Sequence, residues 1–323
     1  MKAIALTRTA SGASLALRDM PVPEIGDTEV LVRIAAFGVG THDRWFLPEG
    51  APDPYVIGIE GAGVIERTGA AVTGHAPGDR VMFVSSQNPK GGTWAEYAAV
   101  AASSLIPIPY SLGFAEAVAL PVAGGMALEG VRALGLAPGE ALVVAGGSGA
   151  IGTLAIQLAA GQGARVAATA SPPNHALLRA LGAEAAFDYR APDLARAVQD
   201  WRSGGADAAL AIPAGTGPTS LPLVRDGGRI VTISGDRVTP LRAITVTQAS
   251  HSPDKQALLA GLARDVAEGR IRAVIDRRWP LEEATAALEK VETGHASGKQ
   301  VVVIGQARAP RVTPTRWCPA AST

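Results

Sequence analysis

The run Ala141-Leu-Val-Val-Ala-Gly-Gly-Ser-Gly-Ala-Ile-Gly152, followed by Thr153-Leu-Ala-Ile-Gln-Leu-Ala-Ala160, carries the clearest chemistry in the chain. A short apolar stretch enters Gly147-x-Gly149-x-x-Gly152, and apolar residues continue beyond it in helical register. Strand, tight turn and helix in that order make a pyrophosphate site. The first glycine allows the bend, the second lets a phosphate approach the backbone, and the third lets helix and strand pack closely. Gly147, Ser148, Gly149, Ala150, Ile151 and Gly152 are therefore the expected dinucleotide-binding residues, with the positive end of a helix dipole behind their amides. The alternative is an ordinary strand-to-helix turn.

The residues after the next strand bear on which dinucleotide is bound. A site selective for NAD normally offers an Asp or Glu there to the ribose hydroxyls. Here Ala164-Arg-Val-Ala-Ala-Thr169 runs into Ala170-Ser-Pro-Pro-Asn-His175 without a carboxylate, so a 2′-phosphate meets no like charge beside Thr169 and His175. NADPH (NADP+) is the expected cofactor. Later strands ending at Ile212-Pro213 and Ile233-Ser234-Gly235 reach the carboxyl edge where open α/β sheets bind ligands, and Ile212, Ile233 and Ser234 are expected to contact the nicotinamide side. Ile233 reads equally well as a core residue.

These motifs need a scaffold, and the texture of the chain supplies one. Through about residue 113 it is β-rich, with strand-like Val30–Ala36 and Gly63–Glu66 separated by turn clusters such as Pro21-Val-Pro-Glu-Ile-Gly-Asp27 and Ala76-Pro-Gly-Asp79. From Phe114 helices alternate with short apolar strands at Ala185–Asp188, Ala206–Ile212 and Arg229–Ser234. Such alternation predicts a doubly wound parallel sheet. Helices over Lys255–Glu268 and Leu281–Val291 and a strand over Lys299–Ile304 follow. The stretch 306–323, with three prolines and no periodicity, is expected to be flexible.

Composition narrows the function. The 323 residues hold 29 Lys plus Arg against 29 Asp plus Glu, so nothing marks the protein for nucleic acid or an anionic membrane. No apolar stretch approaches a membrane span, and Arg8 arrives too early for a signal peptide, so a cytoplasmic location is expected. The one cysteine, Cys318, precludes an internal disulfide or a cysteine-rich metal site, and the five histidines are scattered without paired spacing.

The order of Met1-Lys-Ala-Ile4, Pro21-Val-Pro23, Glu29-Val-Leu-Val-Arg33, Gly58-x-Glu-Gly-Ala-Gly-Val64, Pro77-Gly-Asp-Arg-Val81, Gly92-x-x-Ala-Glu-Tyr97, Ala119-Leu-Pro121, the glycine turn and Gly298-Lys299 resembles the medium-chain dehydrogenase/reductase superfamily, in its zinc-free quinone oxidoreductase branch. The resemblance implies an α/β fold in which a Rossmann doubly wound parallel sheet is inserted in a β-rich GroES-like domain. The implied boundaries are 1–117 for the first part of the GroES-like substrate domain, 118–258 for the NADP-binding domain, 259–305 for the return, and 306–323 for the tail. It also implies a homodimer and a small-molecule substrate. Zinc-dependent relatives place cysteine, histidine and cysteine at the positions of Gly40, Ile59 and Val122–Ala123; this chain has no ligating side chain at any of them, so no metal is expected.

In the resembled branch a serine, a lysine and a tyrosine meet the 2′-phosphate. Ser171 and Tyr189 keep two of these places, and Asn174 or His175 falls nearest the third. Met126 stands where relatives put a threonine near the nicotinamide. His42, in Gly40-Thr-His-Asp43, falls on the proton-relay position of zinc alcohol dehydrogenases, which makes it the candidate proton donor; a solvated loop histidine is the plain alternative. Asp43 is expected to hold the loop, while Tyr55 and Trp45 are expected to line the cleft. Reducing a conjugated carbonyl requires hydride at the β-carbon, a donor for the oxygen and a proton afterwards. The expected activity is NADPH-dependent reduction of quinones or α,β-unsaturated carbonyl compounds without metal. The alternatives are a biosynthetic enoyl reductase or redox-neutral cyclase, and a non-enzymatic NADPH-binding protein.

Overall fold

The computed structural model describes residues 1–9, 12–250 and 252–305; the stretch expected to be flexible, 306–323, lies outside them. Three sheets organise the chain. A small antiparallel sheet has the order β2 (Gly12–Asp19), β1 (Lys2–Thr9), β4 (Tyr55–Val56). The second comprises β3 (Glu29–Val39), β5 (Glu60–Thr68), β6 (Arg80–Val84), β7 (Tyr97–Ala101) and β8 (Leu105–Pro107), joined by β15 (Ile275–Trp279) and β16 (Lys299–Val303) from far along the chain. Its order is β15-β16-β3-β5-β6-β8, with β7 also on β3. The return of the chain to a sheet begun near its start is the split arrangement that the sequence motifs imply.

Between those parts lie β9 (Ala141–Ala145), β10 (Arg165–Thr169), β11 (Ala185–Phe187), β12 (Ala206–Ala211), β13 (Val224–Thr232) and β14 (Thr245–Gln248). They form a six-stranded sheet of order β11-β10-β9-β12-β13-β14, with every pairing parallel. In chain order this is 3-2-1-4-5-6, the arrangement that creates a crevice where the direction of winding reverses, here between β9 and β12. All five residues of β9 are buried, as a central parallel strand covered on both faces requires. The sequence pattern missed β14, whose Thr245-Val-Thr-Gln248 lacks an apolar face.

The helix Ala123–Leu134 joins the two large sheets. Its inner face and that of the helix Ala150–Gly161 belong to one continuous buried cluster that includes Ala36, Ala62 and Met82 on one side and Leu142, Val144 and Leu210 on the other. Gly130 makes close packing possible, since a Cβ there would lie 2.8 Å from Leu210. No helix among the described residues is long and apolar enough to cross a membrane.

Candidate active site

The registers of the parallel sheet align Ala145, Thr169, Phe187, Ala211 and Thr232 in one row. The residues that follow each strand therefore leave the sheet at one edge: 146–152, 170–175, 188–189, 212–213 and 233–234. The strands thus bring together at one sheet edge every residue expected to bind cofactor except Met126 and Thr169, the latter being the last residue of its strand.

At the glycine turn each glycine has its own reason. A Cβ on Gly152 would sit 2.3 Å from the Gly146 carbonyl oxygen, so only glycine lets the helix approach the strand. A Cβ on Gly147 would meet Ala168 at 2.8 Å. Gly149 differs, because its only neighbour within 4 Å would be the Gly146 oxygen at 3.6 Å. The space beside that backbone is open, as phosphate approach demands. Among the described residues the amides of Ser148, Ile151 and Gly152 have no backbone or side-chain acceptor, and they stand at the N-terminus of a twelve-residue helix. Open space, free amides and the dipole together fit the pyrophosphate of a dinucleotide. Thr169 serves the turn rather than pointing outward: its carbonyl accepts from Gly147 N at 2.9 Å and its hydroxyl from Gly146 N at 3.3 Å.

Beyond β10, the His175 Nε2–H donates to the Ala170 carbonyl at 3.1 Å. Tyr189 is half exposed, with the Arg190 guanidinium over its ring. Asp188 is the carboxylate nearby, and Arg190 holds it with bonds of 3.1 and 3.2 Å, which keeps its carboxyl below the usual range. Asn174, which with His175 falls nearest the place of the missing lysine, donates to the Ser171 hydroxyl at 3.2 Å and accepts from Ser297 Oγ at 2.8 Å, a polar tie to a distant segment.

Met126, expected near the nicotinamide, is half-buried against the main core. The Ile233 side chain points into the core as well, coming within 3.1 Å of where a Cβ on Gly130 would be. Just beyond Ser234, the Asp236 carboxylate accepts from the amides of Gly215 at 3.0 Å and Gly217 at 2.8 Å, which holds its carboxyl below the usual range.

The loop after β3 carries His42, exposed and stacked on Phe46 with centroids 5.2 Å apart. Trp45 is exposed too, with the Arg44 guanidinium 4.7 Å from its ring centre. Tyr55 requires a correction. It is 3% exposed, and its hydroxyl donates to the Asn88 carbonyl at 2.7 Å; burial pushes its pKa up to about 12. A phenol so enclosed, its proton already given to a backbone carbonyl, holds β4 to the 85–92 loop and does not line a cleft.

Asp43 holds the loop as expected, and it does so within a buried cluster that the sequence did not reveal. Its oxygens accept from Gly40 N at 2.6 Å and Ile59 N at 3.0 Å. Burial pushes its pKa up to about 7, partly opposed by Lys299. Lys299 Nζ lies 2.5 Å from Glu60 Oε1, and Glu60 Oε2 accepts from Val122 N at 2.9 Å. Gly40, Ile59 and the first residue of Val122–Ala123 mark where the resemblance places the ligands of zinc-dependent relatives. Here the backbone amides of all three are held by two buried carboxylates, and among the described residues no group of three or more His, Cys, Asp or Glu is placed to hold a metal ion.

Residues 26–110 match the family described as the alcohol dehydrogenase GroES-like domain, and residues 181–302 the zinc-binding dehydrogenase family. The chain is 32% identical over 304 residues to 2-methylene-furan-3-one reductase of Solanum lycopersicum, covering 88% of this chain and 74% of that protein. It belongs to the medium-chain dehydrogenase/reductase superfamily. Within that superfamily it is 31% identical to an NADPH-dependent alkenal/one oxidoreductase of Arabidopsis thaliana, covering 87% of this chain and 73% of that one. Among solved structures, the quinone oxidoreductase of Thermus thermophilus, determined also as its complex with NADPH, superposes with a TM-score of 0.75 at 33% identity, covering 94% of this chain and all of the other.

Proposed function

We propose that this oxidoreductase uses NADPH to reduce quinones or α,β-unsaturated carbonyl compounds, without a metal. The carrying observation is the open backbone at Gly149 with three free amides beside it. The 2′-phosphate preference is supported by the edge beyond the paired strands β10 and β11, where Ser171, His175 and Tyr189 lie and where the carboxylate next to Tyr189, Asp188, is paired with Arg190. The names of the alkenal/one oxidoreductase and of the NADPH-bound quinone oxidoreductase agree with this reading.

When bound, NADPH supplies a hydride to the substrate's β-carbon. The chain contributes the rest. Amides 148, 151 and 152 hold the pyrophosphate, and Met126 with the backbone at Ile212, Ile233 and Ser234 bounds the nicotinamide side. His42 hydrogen-bonds the carbonyl oxygen as hydride reaches the β-carbon, then gives the resulting enolate a proton that its exposed ring regains from solvent. Exposed Trp45 and Phe46 give a planar, apolar substrate a surface to lie on. Metal chemistry is replaced by this donor and by the fixed frame of Asp43 and Glu60. The outer edge of β14 is the place where a second copy would pair to give a homodimer, which sedimentation would detect.

The test is to mix the protein with NADPH or NADH and a panel of quinones and enones, following the loss of reduced-nicotinamide absorbance. Turnover faster with NADPH, and unchanged after chelator treatment, is expected. Cofactor binding without turnover on any panel member would sink the proposed reaction.

A further inference from the structure

Three successive residues reach three different parts of the candidate site. Ser297 Oγ donates to Asn174 Oδ1 at 2.8 Å, beside Ser171 beyond β10. Gly298 pairs in a parallel β-bridge with Gly149, the open glycine of the pyrophosphate turn. Lys299 Nζ meets Glu60 at 2.5 Å, and Glu60 in turn holds Val122 N at the start of the Ala123–Leu134 helix. The segment cannot shift freely. Gly298 has φ +108°, and a Cβ there would lie 2.5 Å from the Val274 carbonyl, while Lys299 N donates to that same carbonyl at 2.8 Å. Gly38 leaves the room that the ion pair needs, since a Cβ at that position would come within 2.7 Å of Lys299 Cε.

We propose that residues 297–299 form a positioning strap that couples seating of the dinucleotide to the loop bearing His42, and that Lys299 is its positioning residue. This rests on the reading of residues 147–152 as the dinucleotide site. The link from Lys299 to the loop runs through Asp43. A Cβ on Gly40 would lie 3.8 Å from Asp43 Oδ2 and 3.9 Å from Lys299 Nζ. The amides of Gly40 and Ile59 donate to Asp43, Glu60 on β5 acts on it electrostatically, and His42 and Arg44 are its chain neighbours. Arg44 is committed outward to Glu292 at 2.8 Å. Lys299 is thus the cation that faces two buried carboxylates, paired with Glu60 and partly opposing the burial that raises the Asp43 pKa. A carboxylate oxygen accepts an amide bond about twice as strongly as a neutral oxygen. Without Lys299 nothing of opposite charge offsets the burial, so Asp43 keeps its proton to higher pH and its hold on Gly40 N and Ile59 N weakens.

The experiment uses the full chain with NADPH itself as the probe. Amide hydrogen exchange of the segments around 38–47 and 57–60 is measured with and without NADPH in the wild type, Lys299→Met and Asp43→Asn. Exchange in these segments is expected to slow on NADPH binding in the wild type and to show no such slowing in either variant. In steady state, Lys299→Met is expected to lose about tenfold to a hundredfold in kcat, the scale of a slight misplacement of a reacting group, while its Kd for NADPH changes by less than about twofold. Its kcat should climb towards the wild-type value as the pH is raised and Asp43 gives up its proton. Asp43→Asn should show the same loss at every pH. If Lys299→Met does not fold, Asp43→Asn carries the same exchange and turnover comparison. NADPH protection of residues 38–47 persisting in the variants, no protection in an NADPH-bound wild type, or wild-type kcat in Asp43→Asn would each overturn the proposal. A wild type that binds NADPH but reduces no quinone or enone overturns the proposed reaction alone, because exchange still decides the strap.

Discussion

Gly149 and Gly152 are three residues apart in one motif, yet replacing each by alanine is expected to do opposite things. At Gly149 the backbone is extended, with φ −73° and ψ 171°, a conformation alanine adopts without strain. Alanine is a poorer helix cap than glycine, but it also lowers the entropy of the unfolded chain by about 0.4–1 kcal/mol. The two effects nearly cancel, so Gly149→Ala should melt within a few degrees of the wild type. The added methyl has one neighbour, the Gly146 oxygen at 3.6 Å, and otherwise projects into the open space. A phosphate oxygen displaced from that space loses at least one charge-assisted amide bond, worth about 1.5–3 kcal/mol, which raises Kd for NADPH roughly ten- to hundredfold. Gly152→Ala forces a Cβ to 2.3 Å from one backbone atom and 2.7 Å from another, so strand and helix must part. Such overpacking costs about 1–3 kcal/mol or more, at roughly 2–4 °C of Tm per kcal/mol for a chain of this order of size. Calorimetric titration with NADPH and thermal melts of both variants make the comparison. A Gly149→Ala protein that binds NADPH as tightly as the wild type would refute the placement of the pyrophosphate.

Four further outcomes are expected. Ser171→Asp places a like charge where the 2′-phosphate is proposed to sit, and should weaken NADPH by about tenfold or more (about 1.4 kcal/mol) while sparing NADH, measured as the ratio of the two Kd values. His42→Ala should lower kcat about a hundredfold, the lower range of general-acid catalysis, and leave Tm unchanged because the ring is exposed; unchanged turnover would remove it as donor. Tyr55→Phe should cost about 1 kcal/mol in a denaturant titration, the worth of one hydrogen bond, without altering kcat/KM. Asp43 binds its proton more tightly folded than unfolded, so the stability it contributes is complete below 3.8 and is lost as pH rises through about 7. The wild type should therefore lose stability across that window, by up to about 1.4 kcal/mol per pH unit, relative to Asp43→Asn in parallel melts.

Legibility in the sequence followed the range of the interactions. The glycine turn was readable because strand, bend and helix are contiguous, and the carboxyl edge because each parallel strand ends in its own local signal. The chain's family could be read from the order of short motifs. The charge cluster was not readable, since Asp43, Glu60 and Lys299 meet only when β16 pairs with β3. A partial signal existed: Glu60 follows Gly58-Ile59 and Lys299 precedes Gln300-Val-Val-Val303, so each is a lone charge at the head of an apolar strand. Such charges are buried only with a partner of opposite sign. Tyr55 misled for the opposite reason, because a tyrosine in a polar, proline-rich stretch does not reveal which carbonyl takes its proton. β14 was missed because Val246 is its one apolar residue, too few to show an alternating pattern.

The place of β16 in the seven-stranded sheet sets a timetable for assembly. The glycine turn, residues 147–152, leaves the ribosome about 150 residues before Gly298, at a pace of roughly 5–20 residues per second. The parallel sheet is composed of strands between 141 and 248 and can pair as soon as they emerge. The β3–β16 pairing joins residues that lie more than 250 positions apart, so it forms late and bears a large loop-closure cost. A nascent chain therefore completes the glycine turn long before it can brace the loop that carries His42, and the buried cluster of Asp43, Glu60 and Lys299 assembles only once β16 has joined β3.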